Sequence, residues 1–191
     1  GRVDPGVVEE AITDKTVLIS VMTANNEIGT IQPVRAIAEI AHDHRVPFHT
    51  DAVQAIGALP VNVEATGADL LSLSAHKFGG PKGTGALYIR KKTRIGTFMD
   101  GGAQERGHRA GTENVPGIVG LGRAIELATA DIEEHAARLR AMRDRLIRGL
   151  LDTIPDTRLN GHPVERLPNN VNVAFRYVEG ESILLSLDAL G

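Results

Sequence analysis

The hydrophobic positions of this chain fall into two kinds of pattern, short continuous runs and stripes at helical spacing. Largely apolar runs at 17–22, 46–50 and 68–73 have the length of buried strands. Between the first two runs, Pro33 precedes a stretch with apolar residues at helical spacing as far as Ala41. This strand–helix–strand order is typical of βαβ units, so the pattern predicts an α/β fold with a mainly parallel sheet and flanking helices.

The pattern in the second half of the chain predicts an architecture other than repeated βαβ units. A fourth strand at 85–90 follows the third after a short connection. A parallel crossover needs about a dozen residues, so we expect this strand to be antiparallel. A long helix at 116–151 is followed by a strand at 169–175 and a last helix. We therefore expect residues 1–125 to be part of a large domain, and residues 126–191 to form a long linking helix and the start of a small α+β C-terminal domain.

Polar side chains that could bind a ligand or take part in catalysis follow each of the three parallel strands. They are Asn26 after the first strand, Asp51 at the second, and Ser74, His76 and Lys77 at the third. The carboxyl ends of parallel strands share one edge of a sheet, and ligands bind at that edge. We therefore expect these residues to converge on one crevice.

Lys77 is unusual because it ends a buried strand. Burial disfavours the charged form of lysine, and an uncharged lysine can hold a carbonyl group as a Schiff base. Asp51 could keep a pyridine nitrogen protonated, so the pair predicts a site for pyridoxal 5'-phosphate. Gln54 and Asn26 could contact the hydroxyl of that ring. The alternatives are a solvated lysine, a loop or capping carboxylate, and exposed amides.

Other motifs are less specific. The glycine-rich stretch 79–85 does not match the G-x-x-x-x-G-K-[ST] pattern and more simply supplies unusual backbone angles beside the lysine. His42, His44 and His49 lack a spacing that fixes a metal shell, so surface or core histidines are the expectation. The loop 106–114 is rich in donors for an anion, although a charged surface loop is the alternative.

The composition narrows the classes of function. Of the 191 residues, 42% are hydrophobic and 3% aromatic, and the net charge of -3 offers no basic footprint for nucleic acid or a membrane. No apolar run approaches the roughly 18–20 residues of a membrane span, and no signal peptide is evident. The chain contains no cysteine, which fits the cytoplasm. Because Gly1 is not an initiator and no tail follows the last helix, we expect an internal piece of a longer protein.

Five stretches of the chain together carry a family resemblance. They are Asn25–Gly29, His49–Gln54, Ser74–Gly83, Glu105–Asn114 and Tyr177–Ser182. Through them the chain resembles, over essentially its whole length, the cysteine desulfurases, class V aminotransferases of the fold-type I pyridoxal phosphate enzymes. The fourth stretch resembles the NifS/IscS-like group, which serves nitrogenase and general iron–sulfur cluster assembly.

The resemblance implies a role for each candidate residue. Lys77 would bind the cofactor and later shuttle a proton, and Asp51 would bind the pyridine nitrogen. The other implied cofactor contacts are Gln54 and Asn26 at the ring hydroxyl, Ser74 and His76 at the phosphate, and Thr112 at the phosphate of the other subunit's cofactor.

The resemblance also implies a reaction and its partners. A homodimer with shared active sites would convert L-cysteine to L-alanine and leave the sulfur as a persulfide on an enzyme cysteine. An iron–sulfur scaffold or another sulfur-acceptor protein would be its partner in this sulfurtransferase reaction, and no nucleic acid or membrane is expected.

The chain departs from the family because it holds no cysteine to accept the sulfur. The family's substrate-carboxylate arginine and its cofactor-stacking histidine are also missing, so these residues alone are expected to be inactive. Two alternatives stay open. One is a selenocysteine lyase or another class V lyase or transaminase. The other is a non-catalytic scaffold for iron–sulfur assembly partners, whose function would survive replacement of Lys77 by Ala.

Overall fold

The computed structural model describes residues 1–191, and its main feature is a four-stranded sheet. The strands are β1 (Ile19–Met22), β2 (Phe48–Asp51), β3 (Leu70–Ser74) and β4 (Gly85–Ile89), in the spatial order β1-β2-β3-β4. The first three strands are parallel, whereas β4 is antiparallel to β3. The predicted α/β fold with a mainly parallel sheet is therefore confirmed, as is the direction of the fourth strand.

Helices and a second, two-stranded sheet complete the fold. The α-helices are α1 (Pro5–Glu10), α2 (Val34–Asp43), α3 (Val63–Thr66), α4 (Val115–Ala130), α5 (Ile132–Thr153) and α6 (Gly180–Asp188). The small sheet follows α5 and pairs two antiparallel strands, β5 (Thr157–Leu159) and β6 (Val173–Phe175). None of the helices is both long and apolar enough to span a lipid bilayer.

The single helix predicted at 116–151 is wrong, because the chain forms two helices there. Asp131 separates α4 from α5 with φ -125° and ψ 37°, outside the helical region. Two glutamates then occupy the first turn of α5, where the positive end of the helix dipole favours acidic side chains. The strand predicted at 169–175 is also shorter, since only Val173–Phe175 pairs with β5. The division of the chain after residue 125 stays a prediction.

The main core lies between α2 and one face of the four-stranded sheet. Ile37 and Ala41 of α2 are fully buried in one cluster with Phe48 of β2 and Leu71 of β3. Each large side chain buried in this way contributes roughly 1.5–3 kcal/mol. Because side chains alternate along a strand, the opposite face carries His49 and other polar residues. That polar face leads to the sheet edge where the candidate residues lie.

Candidate active site

The carboxyl ends of β1, β2 and β3 form one edge of the main sheet, as predicted. Met22, Asp51 and Ser72 lie side by side across the three strands. Asp51 is therefore the central residue of this edge, and Ser74 ends β3 two residues after Ser72. The register pairs Asp51 with Ser72, three residues before the turn that carries Lys77 begins.

Asp51 is half-buried and held through its backbone on both sides. Its carbonyl oxygen accepts a hydrogen bond from Thr23 N at 2.7 Å, and the next amide, Ala52 N, donates to Ser72 O at 2.9 Å. The side-chain Oδ1 accepts a hydrogen bond from Val53 N at 2.8 Å, as in an Asx turn. The second carboxylate oxygen forms no hydrogen bond within the protein, so it is available to a ligand.

His49 lies on the same face as Asp51, two residues earlier on β2. Its Nδ1 is 2.7 Å from Ser20 Oγ on β1, and its Nε2 is 2.8 Å from Ser72 Oγ on β3. Burial lowers the pKa of His49, while the negative charge of Asp51 acts in the opposite direction. A neutral imidazole thus bridges three strands beside Asp51. The sequence-based prediction gave His49 no such role, although its position two residues before Asp51 on a strand signals a shared face.

Lys77 lies in a short 3₁₀ turn (Ala75–Phe78) that begins directly after β3. The turn ends at Gly79, whose φ of 83° lies in the left-handed region that favours glycine. Ser74 Oγ and His76 Nδ1 are 2.9 Å apart and hydrogen-bonded. Lys77 is exposed, so the burial expected from the sequence is wrong. The reason is that the turn carries the lysine out of the sheet at its open edge.

A pocket of about 490 Å³ opens beside this turn. Lys77 and Gln54 line the pocket together with Asn169. Gln54 reaches it from a turn and not from a helix. Asp131 and His135, at the junction of α4 and α5, also line the pocket. The break between these two helices therefore brings two ionisable side chains to the pocket of Lys77.

Asn26 lies on the loop between β1 and α2, where it is exposed. Its neighbour Asn25 shapes this loop, since Asn25 Oδ1 accepts hydrogen bonds from Glu27 N and Ile28 N at 2.9 Å each. A bond from Asn25 N to Thr30 O, at 2.9 Å, closes the loop. Asn26 follows the first strand of the edge that carries Asp51, and like Asp51, Ser74 and His76 it does not line the pocket of Lys77.

Thr112 is exposed and lies outside the Lys77 pocket. It follows a second 3₁₀ turn (Gln104–Gly107), in which two non-glycine residues have positive φ values of 48° and 58°. Gln104 Oε1 accepts a hydrogen bond from Gly111 N at 3.1 Å and so holds the loop next to Thr112. Of the candidate residues, only Lys77 and Gln54 share this pocket.

The two remaining histidines of the possible metal set have partners of their own. His42 Nε2 is 2.9 Å from Asp69 Oδ2, and His44 Nε2 is 3.3 Å from Glu9 Oε1. The structure holds no cluster of three or more His, Asp or Glu side chains that could bind a metal ion.

Comparisons with known proteins show the family of the chain. The aminotransferase class-V family model matches residues 1–191. A cysteine desulfurase IscS of Methanosarcina thermophila is 63% identical over 191 residues, which make up 100% of this chain and 47% of the relative. The chain thus spans about half the length of the curated relatives it matches.

Solved structures also resemble this chain over its whole length. A NifS-like protein superposes with a TM-score of 0.92 at 40% identity, covering 100% of this chain and 52% of the other. SspA in complex with cysteine superposes with a TM-score of 0.76 at 34% identity, with the same coverage of 100% and 52%. The chain belongs to the aminotransferase class-V family, whose members depend on pyridoxal phosphate.

Proposed function

We propose that the protein is a cysteine desulfurase that uses pyridoxal phosphate. The IscS relative matches the whole chain, and a structural neighbour was solved in complex with cysteine. The observation that carries the proposal is the register of the sheet. It sets Asp51 beside β3, and the turn after β3 presents Lys77 to a pocket shared with Gln54.

The side chains at this edge fit pyridoxal phosphate by their chemistry. Lys77 offers a primary amine to a carbonyl group, and Asp51 offers a carboxylate oxygen without a protein partner to a protonated ring nitrogen. Ser74 and His76 offer hydrogen-bond donors to a phosphate. Gly79 leaves room beside the turn, since no atom lies within 4 Å of the place where a Cβ would stand.

The chain's residues would divide the work of holding the cofactor. When bound, pyridoxal phosphate supplies an electron sink for the carbon atoms of an amino acid. Asp51 would keep the ring nitrogen protonated, and Gln54 and Asn26 would hydrogen-bond the ring hydroxyl. The phosphate would be held by Ser74, by His76 and by Thr112 of the partner subunit.

Lys77 would transfer a proton, and His49 would affect the charge available at Asp51. Lys77 Nζ would bind the carbonyl carbon of the cofactor and, after the amino group of the substrate displaces it, carry a proton between carbon atoms of the substrate. His49 is hydrogen-bonded to two serines and kept neutral by burial. It therefore leaves the charge of Asp51 free for the ring nitrogen.

The proposed reaction is a balanced sulfur transfer. The Cβ–S bond of L-cysteine breaks, the sulfur joins the thiolate of an acceptor cysteine as a persulfide, and Cβ takes up a proton so that L-alanine leaves. No outside oxidant is needed, because the sulfur that leaves carbon forms the new S–S bond. This chain contains no cysteine, so the acceptor thiol comes from outside these residues.

We also propose a homodimer with shared active sites that passes sulfur to an iron–sulfur scaffold or another acceptor protein in the cytoplasm. Large apolar side chains stand exposed on both sides of the Thr112 loop. Phe98 is 85% exposed, and Val119 on α4 is 65% exposed. Apolar surface of this kind marks protein interfaces.

The proposal is tested by turnover of L-cysteine in the full-length gene product, with pyridoxal phosphate and a thiol reductant. We expect equal amounts of alanine and sulfide, and a loss of at least about 10³-fold for Lys77→Ala, because it removes the proton-transferring amine. Lys82→Ala, on the same glycine-rich stretch, is the matched control and should keep the activity.

Two results would contradict this function. Turnover by Lys77→Ala at the rate of the unaltered protein would exclude the lysine mechanism. Release of selenide from selenocysteine without sulfide from cysteine would instead identify a selenocysteine lyase.

A further inference from the structure

The loop that carries Asn26 is held from outside by a distant part of the chain. We call residues 23–32 the site loop and residues 160–172 the clamp. Five hydrogen bonds join them, and three of these run from Leu167 N to Gly29 O (2.8 Å), from Ile31 N to Glu165 O (2.9 Å) and from His162 N to Thr30 Oγ1 (2.9 Å). The last of these spans 132 positions of the sequence, so the site loop depends on the C-terminal part of the chain for its shape.

Arg166 lies at the centre of the clamp, is 2% exposed and forms no ion pair. Its guanidinium donates instead within the clamp, to His162 O at 3.1 Å, to Asn170 Oδ1 at 2.9 Å and to Asn160 O. Burial lowers the pKa of Arg166, and the positive charge of Arg143 acts in the same direction. A buried cation without an acidic partner is costly, so neutral hydrogen bonds alone compensate for its burial.

A short relay leads from Arg166 to the site loop through the Asn170 amide. Because Asn170 Oδ1 accepts the bond from Arg166, Nδ2 is the atom that donates to Glu27 O, at 2.9 Å. Asn172 Nδ2 donates to the same carbonyl at 3.2 Å. Glu27 follows Asn26 directly, so the clamp holds the Glu27–Ile28 peptide group, one residue beyond the candidate contact of the ring hydroxyl.

We propose that Arg166 is a positioning residue for the cofactor site. It orients the Asn170 amide, the amide fixes the Glu27 carbonyl, and Asn26 is thereby held at the sheet edge before the cofactor arrives. A preformed contact avoids the entropic cost of ordering the loop on binding. The inference rests on the proposed function, because that function makes Asn26 a cofactor contact.

Three variants of the full-length gene product separate positioning from general stability. Arg166→Lys keeps the charge but loses the planar fork that reaches several acceptors. Asn170→Asp keeps the size of the side chain and its contact with Arg166, but it places an oxygen against Glu27 O where a donor stood. Arg90→Lys is the control for the loss of a guanidinium far from the site loop: Arg90 donates to the backbone carbonyls of Ala68 at 3.1 Å and Val63 at 3.3 Å, and it also forms ion pairs with Glu64 and Asp69.

The readouts are the Kd for pyridoxal phosphate, the thermal midpoint of the cofactor-free protein, and hydrogen exchange of the site-loop amides. We expect Arg166→Lys and Asn170→Asp to raise the Kd about tenfold. Exchange should also become faster at Ile28, whose amide donates to Asn25 Oδ1 within the site loop, and at Ile31, whose amide donates to Glu165 O of the clamp. Arg90→Lys should lower the thermal midpoint and leave the Kd unchanged.

Asn170→Asp is the more stringent variant, because its carboxylate gains an ion pair with Arg166 and so maintains stability. An unchanged Kd in this variant, or an equal rise of the Kd in Arg90→Lys, would overturn the positioning role while the proposed function stands. If the unaltered protein bound no pyridoxal phosphate, the proposed function itself would fall.

Discussion

His49 connects the chemistry of the site to the stability of the fold. Its neutral ring joins Ser20 on β1 to Ser72 on β3 and leaves Asp51 as the charged group of this row. A protonated His49 would have to donate from both nitrogens and would attract the carboxylate of Asp51. The same neutrality makes the fold sensitive to acid, because the unfolded chain takes up a proton that the folded chain resists.

We predict that His49→Gln reduces the loss of stability in acid. The pKa of His49 is lowered from its ordinary value of 6.5. Below that pH the unfolded state binds the extra proton, so the free energy of unfolding decreases as the pH falls. Urea denaturation between about pH 7.5 and 5.5 measures this dependence. His44→Gln, at an exposed histidine, is the control, and an equal pH dependence in His49→Gln and the unaltered protein would exclude a half-buried neutral imidazole at residue 49.

Among the elements, the turn after β3 is set by its contact with α4. Gly80 N donates to Ala75 O at 2.8 Å and closes the turn that carries Lys77. A Cβ at Gly80 would lie 2.8 Å from Ala75 Cβ and 3.1 Å from Ala124 Cβ on α4. The absence of a side chain at Gly80 therefore lets the turn pack against the helix.

We predict that Gly80→Ala moves the turn away from α4. The crowding should cost about 1–3 kcal/mol of unfolding free energy and weaken pyridoxal phosphate binding, since Lys77 moves with the turn. Gly122→Ala is the control, because no atom lies within 4 Å of a Cβ there and alanine is a better helix former by about 1 kcal/mol. Urea denaturation and cofactor titration give both quantities, and unimpaired binding by Gly80→Ala would refute this role of α4.

At the amino ends of the strands, Asp69 is expected to stabilise the fold without affecting the candidate site. Asp69 Oδ2 accepts hydrogen bonds from Phe48 N and His42 Nε2, each at 2.9 Å, and the side chain is only 14% exposed. Asp69→Asn should cost about 1–3 kcal/mol by denaturation and leave the cofactor affinity unchanged. Glu64→Gln, at a carboxylate that is 73% exposed, should stay within about 1 kcal/mol. A larger loss from Glu64→Gln than from Asp69→Asn would contradict this ranking.

The elements differ in how far the sequence predicts them. The parallel strands follow from their apolar runs, and the antiparallel β4 follows from the length of its connection. The break at Asp131 was missed because apolar residues at helical spacing continue on both sides of it. β5 was missed because a strand of three residues is too short to show an alternation of apolar and polar side chains. The positions of Asp51 and Lys77 could be predicted because ligands bind at the carboxyl ends of parallel strands. The partners of Arg166 could not be predicted, because they depend on contacts between segments distant in sequence.

For the whole molecule, the exposed apolar surface around the Thr112 loop predicts self-association. If two subunits share each site, Lys77 of one chain and Thr112 of the other chain serve the same site. Lys77→Ala inactivates the site by removing the amine, and Thr112→Asp inactivates it because aspartate repels the phosphate. Random mixing of the two inactive proteins would form heterodimers in which one of two sites is intact, with about a quarter of the full activity. The assay is alanine release after the subunits are exchanged. Mixtures with no activity would show that the sites are not shared.

Covalent binding of pyridoxal phosphate by Lys77 is the property on which the proposed function depends. The most direct measurement is mass spectrometry of the full-length gene product after cofactor exposure and borohydride reduction, with peptide mapping. We predict a gain of one reduced pyridoxyl phosphate on Lys77, absent from Lys77→Ala and retained by Lys82→Ala. A folded, full-length protein that gains no adduct, or gains it on another lysine, would show that Lys77 does not bind the cofactor covalently.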